Sequence, residues 1–395
     1  MLFDEAPKTS LADFFDFRDE LRMFRDALAK GRRQIVVTGM RRMGKTSLLL
    51  TALNEDKIPY VLLDGRAFAA APTISRVEFI QALEEAINLC VERQRAWWKL
   101  LPGALRRVRG VEVEPGMPPS IRLAWGERQA QSADLLTLMQ LLGKLGLEQS
   151  RRIVIALDEA QEFRRLAGFD LVKLLAYVYD HVRSVQLVIT GSQIGFLHEF
   201  LGVEDSRSPL FGRHYTEVRL HHLTKAEATS FLEHAFAQEK MEVDPRDLEE
   251  VVSRLNGIIG WLTQIGAAAR EKGRLDPDTL EETMTRAAAM ASDELDSFLA
   301  YRTAARKRYR AILAGVATRG PGRWSDLKRA LEAEEGRKLS PTVFNHLLGN
   351  LAKTNFVRKR GDQLYEIADP VLAFALHQRP HASARTTTSR IKLHV

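Results

Sequence analysis

The sequence predicts an α/β protein: a parallel five-stranded sheet covered by helices, then a helical region, then a small domain of helices and a hairpin. Three observations carry this. Five apolar runs, at Gln34–Thr38, Tyr60–Asp64, Ile153–Leu157, Val185–Thr190 and Tyr215–Leu220, alternate with amphipathic stretches, as strands buried on both faces do. From Thr224 to about Leu299 the periodicity is helical only. Finally, Phe356–Ile367 follows three helical segments and breaks at Gly361-Asp362, which is the winged helix-turn-helix pattern.

The elements follow in order. Asp19–Lys30 puts Leu21, Phe24 and Leu28 on one face and stops at Gly31. Gln34–Thr38 runs straight into a glycine-containing loop, and Thr46–Leu53 continues as a helix. Tyr60–Asp64 is the second strand and Val77–Val91 a helix. Residues 92–132 form an irregular insertion with Pro102, Pro115, Pro118 and Pro119; within it Val111-Glu-Val and Ile121-Arg-Leu suggest a hairpin around Pro115-Gly116. Asp134–Leu147 and Phe169–Val182 are helices flanking the third strand. In the helical region Lys225–Gln238, Asp247–Leu255, Trp261–Lys272 and Pro277–Phe298 are expected, with Pro245 and Pro277 as starts. Arg306–Thr318, Ser325–Glu334 and Pro341–Lys353 precede the hairpin, and His377–Val395 reads as a basic tail. The implied domains are 1–220 (core), 221–300 (helical lid), 301–376 (winged helix) and 377–395 (tail).

Composition bounds the class. A chain of 395 residues that is 45% hydrophobic holds two or three folded domains. Its single cysteine, Cys90, excludes an intrachain disulfide and a multi-cysteine metal site. With no apolar stretch near ~20 residues and no secretory signal pattern, a soluble cytoplasmic protein without a membrane partner is expected. The charge is uneven: Tyr301–Val395 carries 19 Lys or Arg against 7 Asp or Glu, an excess of 12, which leaves residues 1–300 at −5 of the overall +7. Either a polyanion partner, most simply nucleic acid, or a solvated arginine-rich face accounts for that.

Gly39-Met40-Arg41-Arg42-Met43-Gly44-Lys45-Thr46 matches the phosphate-loop pattern in full, between a strand and a helix. Its backbone N–H groups, with Ser47 after it, are expected to wrap ATP phosphates. Lys45 reaches the β and γ phosphates and Thr46 binds Mg²⁺. Arg41 and Arg42 point either to nucleotide or to solvent and acids. The strand Ile153–Leu157 delivers Asp158, expected in the Mg²⁺ shell, and Glu159, expected to polarise the attacking water. Two adjacent acids favour hydrolysis over transfer. At the fourth strand's end, Ser192 of Thr190-Gly191-Ser192 either faces the γ-phosphate or closes an ordinary turn. Arg213 is either a finger acting across a homo-oligomer interface or part of a structural ion pair. Trp97-Trp98 with Arg106, Arg107 and Arg109 is either a nucleic-acid contact or a self-packed insertion. His221-His222 reads as two strand neighbours facing opposite ways, a structural pair.

With these residues in hand, the chain resembles the archaeal ATPase family, a branch of the P-loop ATPases close to the signal-transducing STAND type and to archaeal replication initiators. The matching features are Phe17-Arg18-Asp19-Glu20-Leu21, Thr38–Ser47, Leu157-Asp-Glu-Ala-Gln161, Ile189-Thr-Gly-Ser192, Leu210-Phe-Gly-Arg213 and Ile367-Ala-Asp-Pro370. The resemblance spans nearly the whole chain and implies a RecA-like core of AAA+/STAND type, adenine nucleotide, Mg²⁺, a helical lid and a C-terminal winged helix. One departure stands out: where the family's lid reads Gly-Gly-x-Pro, this chain has Asn256-Gly257-Ile258-Ile259-Gly260-Trp261, with Ile259 for the proline and no lid arginine.

The expectation is an ATP-hydrolysing enzyme whose nucleotide state controls the winged helix. Duplex DNA is the leading partner: Ser340-Pro341 starts a recognition helix bearing Asn345, His346, Asn350 and Lys353, and Arg358, Lys359 and Arg360 tip the wing. The rival is a STAND-type switch whose winged helix binds protein or holds the chain inactive.

Overall fold

The structure is a computed structural model that describes residues 1–68, 72–95, 99, 110–124, 132–148, 152–202, 205–300 and 302–378. Contacts divide it into two compact units: Met1–Leu280 with Lys353–Asn355, and Glu281–Ala352 with the chain from Phe356 onward.

The first unit is built on a five-stranded parallel sheet. The strands are β1 (Gln34–Thr38), β2 (Tyr60–Asp64), β5 (Ile153–Asp158), β6 (Val185–Gly191) and β7 (Thr216–Arg219), in the spatial order β2-β5-β6-β1-β7. Every residue of β1, β5 and β6 is buried, which explains their unbroken apolar character: helices cover both faces. These are α1 (Arg18–Ala29), α2 (Lys45–Glu55), α3 (Arg76–Arg93), α4 (Ser132–Glu148), α5 (Leu171–His181) and α6 (Ile194–Leu201). One strand, β6, stands between the glycine-loop strand and the acid-bearing strand, so the ends of all three face one place.

The insertion contains an antiparallel hairpin, β3 (Val111–Glu114) with β4 (Ser120–Leu123). Asn88 of α3 pins it: its Nδ2 donates to the Ile121 carbonyl at 2.8 Å and its Oδ1 accepts the Ile121 N–H at 2.7 Å. The segment expected as a lid, 221–300, contributes α7 (Lys225–Gln238), α8 (Pro245–Leu255) and α9 (Ile259–Lys272) to this unit, while its last helix passes to the second unit at Glu281, short of the expected boundary. Thr224 and Asp244 cap the first two, with Pro245 at the first helical position. An N-terminal strap runs over α2 and the lid: Phe3 is fully buried against Phe231 and Phe236, and the Thr51 hydroxyl donates to the Lys8 carbonyl at 3.2 Å.

The second unit takes up α10 (Pro277–Ala300) from Glu281 and adds α11 (Arg306–Arg319), α12 (Trp324–Glu335), α13 (Pro341–Lys353), the hairpin β8 (Val357–Lys359) and β9 (Tyr365–Ile367), and α14 (Pro370–Gln378). Phe344, Leu347, Leu348 and Leu351 of α13 form its buried stripe. Gly322 pairs with Tyr365, adding a third short edge to the wing.

Sequence reasoning missed α6 and α14. Helix α6 has eight residues, follows β6 almost directly and contains Gly195, so it offers two turns of periodicity and a poor propensity. The reading of His221-His222 as strand neighbours is corrected: β7 ends at Arg219, and both rings tie a loop instead. His221 Nε2 lies 3.1 Å from Glu20, and His222 Nδ1 lies 2.8 Å from the Asn256 carbonyl oxygen. The Trp97-Trp98 and Arg106, Arg107, Arg109 cluster and the chain beyond Gln378 lie outside the described residues. Among the described residues no helix is long and apolar enough to cross a membrane.

Candidate nucleotide and metal site

The glycine loop closes at Gly44, whose φ of 85° favours glycine and makes it the N-cap of α2. No side chain caps this helix. Its first N–H groups therefore face outward with a positive helix end behind them, a ready anion cradle. Lys45, the first residue of α2, is almost fully buried; its ammonium donates to the Met40 carbonyl at 2.9 Å and lies 3.5 Å from Glu159 Oε1. Met43 is fully buried and anchors the loop from below.

The acids arrive on β5. Asp158 is fully buried: Oδ2 accepts the Thr46 hydroxyl at 2.7 Å, and Oδ1 accepts the Glu159 N–H at 3.1 Å and the Thr190 hydroxyl. Burial, then the neighbouring Glu159 charge, raises the Asp158 pKa, against the pull of the two threonines. Glu159 sits at a left-handed φ of 48°, which turns its side chain back across the strand ends. Its Oε2 accepts the Ser192 N–H at 3.1 Å, Gln161 Nε2 at 2.6 Å and the Ser192 hydroxyl. Burial alone would raise the Glu159 pKa; Lys45, the Ser192 and Gln161 hydrogen bonds and the Arg41 charge outweigh it and push it down to about 2. Burial depresses the Lys45 ammonium, opposed by Glu159 and Asp158.

Thus Ser192, whose sequence alternatives were a phosphate contact or a turn, serves here as a clamp on Glu159. Thr190 on the same strand clamps Asp158. Gln161, which ends the Leu157–Gln161 motif but is given no role by it, completes the grip. Ser47 accepts the Lys8 N–H on its hydroxyl at 3.0 Å, so its side chain ties down the N-terminal strap. Arg41 is exposed and projects its charge onto the acid cluster.

Arg42 meets the lid. Its guanidinium carbon stacks 3.9 Å from the centre of the fully buried Trp261 ring, and its carbonyl accepts the Gly260 N–H at 2.9 Å. The lid therefore touches the glycine loop through the very segment that departs from the family pattern: Ile259 starts α9 and lies beside Gly44. Arg213 pairs with Asp180 of α5, with Nε 3.0 Å from Oδ1 and Nη2 2.5 Å from Oδ2, and also bonds the Pro209 carbonyl.

In the second unit, α13 exposes Thr342, Val343, Asn345 and His346. Asn345 Oδ1 accepts the Trp324 indole N–H at 2.7 Å. Asn350 turns inward and donates to Tyr309 Oη at 2.9 Å, which takes it out of the expected base-reading set. Lys353, grouped with the first unit, is ion-paired with Glu199. On the wing, Arg358 bonds Glu366 at 2.5 Å, and Arg360 lies 3.3 Å from Asp362 and 3.5 Å from Glu366. Lys359 has no carboxylate partner among the described residues and lies 5.9 Å above Tyr365.

Among the described residues no three His, Cys, Asp or Glu side chains converge as a metal cage. The metal-competent feature is the oxygen pair of Thr46 and Asp158. Hard oxygen donors that leave most positions to water and phosphate suit Mg²⁺.

Comparison with known proteins agrees with this geometry. Residues 14–265 match the model of an ATPase domain predominantly from Archaea, and residues 303–368 match the winged helix-turn-helix domain of MCM protein C-termini. The Walker-type ATPase PABY2304 of Pyrococcus abyssi is similar over 95% of this chain and 100% of its own, at 31% identity and a TM-score of 0.78. The ORC2 protein of Aeropyrum pernix, solved in ADPNP and ADP complexes, shares the fold at 15% identity and a TM-score of 0.58 over 95% of each chain. No curated protein matches. With a fully matched glycine loop, an Asp-Glu pair at the adjoining strand end and a family model spanning well over half its length, this chain belongs to the family of ATPases found predominantly in Archaea.

Proposed function

We propose that this chain is a Mg²⁺-dependent ATPase that cleaves ATP to ADP and phosphate and uses the cycle to control a DNA-associated winged helix. The observation that carries the hydrolytic reading is the 3.5 Å approach of Lys45 to Glu159. A general base works best with a pKa near the operating pH, and Glu159 at about 2 is far below it. The β and γ phosphates compete for Lys45. Once Lys45 turns to them, Glu159 loses its strongest stabilising charge while staying buried, so its basicity rises. Ser192 and Gln161 keep it aimed. The base thus becomes competent when substrate arrives. Mg²⁺ would be held by Thr46 and Asp158 and would neutralise charge on the phosphate oxygens.

The DNA part rests on the basic C-terminal quarter, on the exposed face of α13 and on Lys359 of the wing, which has no carboxylate partner among the described residues. One observation favours the rival STAND-type switch: Arg358 and Arg360 are already engaged by Glu366, so much of the wing charge is spent internally. Phosphate release measured with and without duplex DNA decides between them. Stimulation by DNA supports the first reading. Nucleotide-dependent assembly, seen by native mass measurement with no retardation of DNA at low salt, supports the second. No phosphate release under any condition, with ATP bound, overturns the hydrolytic reading itself.

A further inference from the structure

The acid pair is not alone at the strand ends. Strand β2 pairs with β5 in a register that sets Asp64 opposite Asp158. The chain then turns through a short 3-10 segment, Gly65–Phe68. A Cβ at Gly65 would lie 2.6 Å from the Glu159 carbonyl oxygen and 2.9 Å from Glu162 Cβ, so only glycine lets this turn press against the acid-bearing strand end. The turn delivers Arg66. Its backbone N–H donates to Asp64 Oδ1 at 2.9 Å, its Nε lies 3.0 Å from both Asp64 oxygens, and its Nη2 lies 2.7 Å from Asp64 Oδ2. The same Nη2 reaches Asp158 Oδ2 at 3.3 Å. That oxygen is the one the Thr46 hydroxyl uses.

We infer that Arg66 is a positioning residue that sets the metal affinity of the site: a divalent cation must compete with its guanidinium for the outer oxygen of Asp158. The inference rests on the reading of Thr46 and Asp158 as the metal-binding pair. Charge counting gives it a direction. Asp64, Asp158 and Glu159 face Lys45, Arg66 and the nearby Arg41, leaving no net negative charge to draw a strongly hydrated divalent ion. Bound nucleotide phosphates add several negative charges and turn Lys45 away, so the balance then favours the metal. Arg66 need not leave. Its fork stays on Asp64 and only the 3.3 Å contact is surrendered. The metal consequently enters with the nucleotide rather than ahead of it.

Mn²⁺ is the probe, titrated by electron paramagnetic resonance into full-length protein stripped of nucleotide. R66A should bind Mn²⁺ about tenfold to a hundredfold more tightly than wild type, the effect of removing one unit charge beside a divalent ion in a half-solvated site. R66Q, which keeps reach and loses charge, should do the same if R66A folds poorly. R66K should stay near wild type. Affinity for ADP in excess chelator, compared across the set, reads the integrity of the phosphate cradle without metal. Mn²⁺ affinities of R66A and R66Q within twofold of wild type, with chelated ADP binding intact, overturn the inference. A wild-type protein that fails to bind Mn²⁺ even with ATP present overturns the metal-site reading beneath it, a separate and recognisable failure.

Discussion

Replacing Glu159 by glutamine removes one charge from the most tightly coupled part of the site and keeps its shape. The structure gives the magnitude. The Glu159 carboxyl moves from an ordinary 4.5 down to about 2, and at ~1.36 kcal/mol per unit this is about 3 kcal/mol favouring the ionised, folded form. Because the folded pKa is depressed, that stabilisation is complete above the unfolded value of ~4.3 and fades as pH falls through about 2. At pH 3 it should have dropped to about half. Glu159→Gln therefore should unfold more easily in urea at pH 7 by about 1–3 kcal/mol, since Lys45 stays buried without its partner, and the gap to wild type should shrink by about half at pH 3. ATP should still bind in a calorimetric titration, while phosphate release falls on the order of 100-fold or more. Wild-type turnover in the variant would remove Glu159 from the role of base. A stability gap that does not change between pH 7 and pH 3 would refute the account of how Lys45 and Ser192 hold it ionised.

Four further outcomes are expected. Lys45→Ala should abolish tight ATP binding in calorimetry, because it removes the cation that serves the β and γ phosphates; unchanged affinity would sink the phosphate-loop reading. Arg42→Ala removes the stacking on Trp261, worth about 1–2 kcal/mol in a desolvated setting, and should weaken ADP binding about tenfold; equal affinities would mean that lid and loop are not coupled there. Arg213→Ala should lower turnover only where subunits assemble, and only if assembly breaks the Asp180 pair; a per-subunit rate that is flat with protein concentration speaks against a finger. Lys359→Ala should flatten the salt dependence of duplex binding by about one unit, with Arg358→Ala changing it less because Glu366 already engages that side chain; a larger effect from Arg358 would reverse the assignment.

The fold was legible wherever one local signal fixed one element. Unbroken apolar runs announced the buried strands, and the glycine loop, Asp158 and Glu159 stood where the motifs put them because strand ends deliver them there. The partners of those residues were not legible. Ser192 reaches Glu159 only because β6 lies between β1 and β5, and strand order is a long-range property that no local window contains. The lid contact shows the same limit. Read in sequence, Ile259 and Trp261 look like the loss of a proline motif; in three dimensions Ile259 lies beside Gly44 and Trp261 supplies an aromatic face for Arg42. The wing arginines were legible as charge, but the short hairpin register that sets Glu366 opposite Arg358 was not.

A single idea links the residues that motif reading left unconnected. Each carboxylate at the strand ends is matched with a cation of the chain itself: Glu159 with Lys45, Asp64 and Asp158 with Arg66. Buried carboxylates at this spacing are costly unless paired, so the folded site needs these cations for its own stability. Substrate chemistry needs the same groups for something else. Phosphates call on Lys45, and a divalent ion calls on the oxygen that Arg66 touches. Binding is then an exchange of partners rather than a simple addition, and its net charge change is smaller than the charge of the ligand. This has a consequence for variants. Removing either cation should strengthen the acids' demand for an external positive charge, yet only the loss of Lys45 should cost phosphate binding. Lys45→Ala and Arg66→Ala are therefore expected to move metal affinity in the same direction while only Lys45→Ala weakens metal-free nucleotide binding, a contrast that a merely structural role for Arg66 does not produce.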